Sequence, residues 1–126
     1  MDAEDYVESV AEVLRRTALA ELQGASYEVT REDPTVSLLT ACAEGKIFCI
    51  RIRGDLFQII YDEKFVFTNV MTVVEDEIGE FSAEALREIR FVCSGISQLI
   101  LSKTLFRRRP MLNLTTSRGK IWPFYP

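Results

Sequence analysis

The sequence predicts an α+β domain: an N-terminal helix, a four- to five-stranded antiparallel meander, a long C-terminal helix packed on the sheet, and an extended or hairpin tail. Three observations carry this reading. Apolar residues recur at three- and four-residue spacing over residues 2–23 and again beyond Ser82, the mark of helices with one buried face. Between them, short runs rich in Ile, Val and Phe alternate with Gly, Pro and Asp turns, as strands and hairpins do. The chain has 126 residues, 48% of them apolar and 27% charged, which suits one core that buries roughly two thirds of the unfolded surface. Residues 1–126 therefore read as one domain, ending in a basic, aromatic tail at 107–126.

The first helix takes its stripe from Val7, Val10, Leu14, Ala18 and Leu22, widened by Tyr6 and Val13. Asp2 caps it, Glu4, Asp5 and Glu8 favour its positive end, and Gly24 stops it. Strands are expected at Tyr27–Arg31, Thr35–Cys42, Lys46–Arg53, Leu56–Tyr61 and Lys64–Thr68. A two-residue loop at Gly54-Asp55, glycine first, suits a type II′ hairpin. It pairs Ile52 with Phe57, Ile50 with Ile59 and Phe48 with Tyr61, all on one face, and leaves Cys49, Arg51, Arg53, Gln58 and Ile60 on the other. A three-residue loop, Ala43-Glu44-Gly45, sets Leu38 against Ile50 and Val36 against Ile52. Phe65 and Phe67 fall on the same core side. Val70–Val74 is apolar and of open type.

Glu75–Glu80 reads as an acidic loop, with Ser82 capping the second helix and Phe81 and Leu86 forming a hydrophobic staple. The stripe of that helix is Leu86, Ile89, Cys93, Ile96 and Ile100, with Gly95 as a point of weakness. Past Pro110, a strand over Met111–Thr116 and a turn at Ser117-Arg118-Gly119 lead to the aromatic end, Ile121–Pro126.

Composition excludes several function classes. The chain has no histidine, which removes Ser-His-Asp and Cys-His catalysis, histidine zinc sites and histidine acid–base chemistry. Its cysteines, Cys42, Cys49 and Cys93, are sparse and odd in number, which fits reduced thiols in a cytoplasmic protein. Cys42 and Cys93 read as core residues and Cys49 as an accessible one with nothing to activate it. The acidic start is the opposite of a secretory signal, and the longest uncharged stretch, Phe91–Ser102, is too short to span a bilayer as a helix. Six of the 15 basic residues (Lys103, Arg107, Arg108, Arg109, Arg118 and Lys120) lie past residue 102, where no acid occurs. The remaining nine face all 19 acids, so residues 1–102 carry a net charge of −10.

Three patterns are candidates for chemistry. Asp33 with Glu44-Gly45-Lys46 has the outline of a Mg²⁺-dependent nuclease site, in which two acids hold the ion and a lysine orients water. Placed in a hairpin turn, however, Glu44 and Lys46 point to solvent. The Glu75–Glu80 run lacks the oxygen spacing of a Ca²⁺ loop. Arg107, Arg108 and Arg109 with Trp122, Phe124 and Tyr125 combine charge with stacking surface, the ingredients of single-stranded nucleic-acid binding, against a pI of about 4.9 that disfavours it. The reading preferred is a non-enzymatic, acidic protein-binding module that needs no cofactor and no metal. Its partner is a basic protein or a second copy of itself, and the tail residues just named are the candidate contacts. No family motif stands in these residues. In size and charge only, the chain resembles small acidic partner proteins such as secretion chaperones and toxin-immunity proteins.

Overall fold

Helix α1, Ala3–Glu21, forms where the apolar stripe predicts it, with Glu4 and Asp5 in the first turn and Val7, Val10, Val13, Leu14, Ala18 and Leu22 buried. The computed structural model describes residues 3–42, 45–71, 75–94, 99–102 and 111–126. Past the helix, Gly24 takes a left-handed conformation at φ 80°, which ends it.

Five strands follow: β1 (Tyr27–Glu32), β2 (Thr35–Ala41), β3 (Ile47–Arg53), β4 (Leu56–Tyr61) and β5 (Phe65–Val70). They form an antiparallel sheet in the order β1-β2-β3-β4-β5. The expected registers hold: Ile52 faces Phe57, Ile50 faces Ile59 and Phe48 faces Tyr61, while Leu38 and Val36 oppose Ile50 and Ile52. Gly54 and Gly45 have φ of 58° and 75°, as their loops require. Period-two alternation puts Val36, Leu38, Phe48, Ile50, Ile52, Phe57 and Ile59 on one buried face. Tyr6 ties α1 to that sheet by donating its hydroxyl to the Gly54 carbonyl at 2.6 Å.

Helix α2 is Glu75–Cys93, as long as α1 at 19 residues but displaced from the expected span. The acidic run 75–80 is its first turns rather than a loop. Asp76 and Glu77 in the first turn sit favourably against the positive end of the helix, and Ile78, Ala85, Leu86 and Ile89 make one buried face with Ser82 among them. Ser82 is thus no cap; it is fully buried inside the helix, and its Oγ has no hydrogen-bond partner among the described residues. The helix also ends earlier, at Cys93, so a long helix reaching Ser102 is ruled out. Ile100 belongs to strand β6 (Leu99–Ser102), because a short apolar run suits either period and pairing with a neighbour decides. Gly95 and Ile96 lie outside the described residues.

Strands β6, β7 (Met111–Thr115) and β8 (Ile121–Phe124) make a second antiparallel sheet, order β6-β7-β8, turning at Ser117-Arg118-Gly119 with Gly119 at φ 81°. Beyond β8, Tyr125 exchanges two backbone hydrogen bonds with Val66 of β5, 2.7 and 2.8 Å, which joins the sheets edge to edge. Leu112, Leu114 and Phe124 thereby enter the same core as the helices and β2–β4.

Cys42 and Cys93 are bonded as a disulfide, with Cα atoms 5.1 Å apart. Their apolar setting is as expected, but the reading of them as free thiols is corrected: the end of β2 and the end of α2 meet over the core, which the sequence separation of 51 conceals. No helix among the described residues is long and apolar enough to cross a membrane.

Candidate functional site: an acidic edge of the second helix

α1 and α2 pack against one another over the sheet and hold most of the molecule's negative charge. Together they contain eleven acids and four arginines, a net of −7. Some of this charge is neutralised locally: Glu8 meets Arg31 at 2.6 Å, Glu12 meets Arg15 at 3.4 Å, and Glu21 accepts from Arg87 at 3.3 Å. Asp76, Glu80 and Glu84 differ. They recur every four residues on one edge of α2, so neighbouring side chains stand about 5–6 Å apart in a stripe about 12 Å long. None of the three makes an ion pair or hydrogen bond among the described residues.

These carboxylates line a groove of about 740 Å³ with Gly79, which has no side chain, and Ala83, which has only a methyl. Arg16, Arg87 and Arg118 line it as well. Its far wall is fixed by Glu88, only 5% exposed, whose carboxylate accepts the Ser117 amide and hydroxyl, both at 2.7 Å. The β7–β8 turn is therefore clamped to α2. Charge-assisted bonds of this kind are among the stronger ones, so the groove's wall is firm.

The structure separates the residues of the nuclease-like pattern. Asp33 precedes β2 and is held by Arg31, which pulls its carboxyl below the usual range, whereas Lys46 follows β2 and bonds Asp62 at 3.1 Å. A seven-residue strand stands between them, about 20 Å of chain, too far for a shared ion. Glu44 lies outside the described residues. No group of three or more Cys, Asp or Glu among the described residues is placed to hold a metal. The Ca²⁺ reading of 75–80 fails with the loop that it required.

Of the tail contacts, Arg107, Arg108 and Arg109 lie outside the described residues. Trp122 is half-buried and stacks on Phe67, centroids 5.4 Å apart and planes 15° from parallel. Phe124 has no exposed surface and packs on Phe67 at 5.8 Å, so it is core and offers a partner nothing. Tyr125 is 41% exposed beside β5. Cys49 sits half-buried on the outer face of the sheet, where burial pushes its thiol up despite nearby Arg51 and a hydrogen bond with Ser37. A raised thiol is a poor nucleophile at neutral pH. Reading 75–80 as a loop hid Asp76 and Glu80. The spacing of Ile78, Ala85 and Ile89 was the signal that could have put both on a helix with Glu84.

No protein-family model matches the chain, and comparison with curated proteins finds no match.

Proposed function

We propose that this chain is a non-enzymatic binding module whose acidic α2 edge receives a basic protein. One observation carries the reading: Asp76, Glu80 and Glu84 stand in line beside an open groove and make no ion pair among the described residues, although Arg16, Arg87 and Arg118 also line it. Like charges four residues apart destabilise a helix by about 0.2–0.5 kcal/mol per pair, and only Asp76 is close enough to the N-terminus for the dipole to offset it. A surface that costs folding energy in the free chain and is relieved by cations is one suited to a basic ligand. Such a field also speeds encounter with a basic partner and repels acidic ones. Single-stranded nucleic acid, the other reading, loses support because Trp122 and Phe124 stack within the fold.

The test is recovery of partners from native lysate by the wild-type chain and by an Asp76→Asn/Glu80→Gln/Glu84→Gln variant. Wild type is expected to retain a basic protein at low salt and to lose it as salt shortens the screening length to a few ångströms near 1 M. The variant is expected to fold at least as stably as wild type and retain at most about a tenth as much. Equal retention by both, or retention of no basic protein by either, overturns the reading.

A further inference from the structure

Glu84 lines a second feature. Between α2, β4, β5 and β8 lies a cleft of about 90 Å³, walled by Phe57, Phe67, Phe81 and Trp122 with the apolar Ile59 and Ala85, and with Asn69 and Glu84 as its polar lining. Phe57 and Phe81 lie 5.9 Å apart with planes tilted by 41°, and Phe67 and Trp122 form the stacked pair. Glu84 is the one charged residue on this lining, and it is exposed.

We propose that this cleft binds the alkylammonium head of a basic partner's side chain. The inference rests on the reading of the α2 edge as a surface for a basic protein and names the group that anchors there. Size limits the occupant: liquid water takes about 30 Å³ per molecule, so the cleft holds about three waters' worth, enough for an ammonium with its last methylenes or N-methyl groups. Chemistry selects the charge. Aromatic faces carry negative potential and attract a cation within about 6 Å of the ring centre. The carboxylate of Glu84 adds to that attraction and repels an anion. A chain laid along Asp76 and Glu80 meets the cleft at Glu84, which lines both features.

Trp122 is the only tryptophan, so its emission reports the site directly. The probe is choline, compared with its neutral isostere 3,3-dimethylbutan-1-ol at matched ionic strength. Choline is expected to change Trp122 emission saturably and to bind about tenfold tighter than the alcohol. Glu84→Gln is expected to weaken choline several-fold and leave the alcohol unchanged, and Phe81→Leu, which removes a ring at the helix surface, to weaken choline as well. Equal binding of the two probes, or no saturable change with choline, overturns the proposal. The titration contains no protein partner. Its failure therefore removes the cleft alone, whereas equal retention by wild type and variant, or retention of no basic protein by either, removes the acidic-edge reading and with it the basic partner assigned to the cleft.

Discussion

Asp62 and Glu63 follow one another in left-handed conformation, φ 54° and 59°, and the Lys64 amide donates back to the Tyr61 carbonyl at 3.1 Å. This is the type I′ turn for which Asn-Gly and Asp-Gly are the preferred pairs. Asp62 tolerates the position and gains an ion pair with Lys46, but glutamate has no such reason to be there. Glu63→Gly is therefore expected to stabilise the fold by about 1 kcal/mol, seen as a higher urea midpoint at unchanged slope. A lower midpoint would show that Glu63 makes up its strain elsewhere. The position of this turn was legible in the sequence, between two apolar runs; its handedness was not, since nothing in Asp-Glu-Lys announces positive φ. Ser82 misled for a related reason. Serine is preferred at helix starts, and only the tertiary packing of α2 shows that its hydroxyl is buried instead.

Helices and strands differed in how openly they could be read. In the β2–β4 meander the side-chain period of two leaves no freedom: a slip by one residue would turn Phe48, Ile50 and Ile52 to solvent, so pattern and turn length fixed the register. At α2 the acids at 75–80 imitate a loop while supplying a helix's first turns, and at Leu99–Ser102 four residues are too few for either period to assert itself. Gly79 lies inside α2 where α1 crosses it. A methyl group there would sit 3.8 Å from Val13 Cγ1, an ordinary contact, so the glycine is not required for the helices to approach. Gly79→Ala should then stabilise by about 0.5–1 kcal/mol through helix propensity and the less flexible unfolded chain, raising Tm by about 2–4 °C. A fall in Tm would mean that the α1–α2 spacing is tighter than this geometry allows.

For the molecule as a whole, the tail is a structural member. Its last strand brings fully buried Phe124 into the core and, through Tyr125, fastens the second sheet to β5. Removing residues 118–126 forfeits at least what truncation of a buried phenylalanine costs, about 3–5 kcal/mol, and exposes Phe67 as well. The shortened chain is expected to melt at least about 10 °C lower or to fail to fold, by circular dichroism. An unchanged Tm would sink this account of the tail. The aromatic content and extended form of the tail were legible; its neighbours were not. Phe57, Phe67, Phe81 and Glu84 are met by Trp122 only through folding of four separate elements, and no local spacing links them.

The bond between Cys42 and Cys93 closes a covalent ring through β3, β4, β5 and α2. Elements outside it fold back onto it: α1 lies on α2, β2 pairs with β3, and Tyr125 returns to β5. A protease that nicks a loop inside the ring therefore releases nothing, because both new ends stay tethered through the sulfurs. One that cuts outside it severs a piece that only non-covalent contacts then hold, so in the oxidised chain such cuts are the ones that loosen the fold.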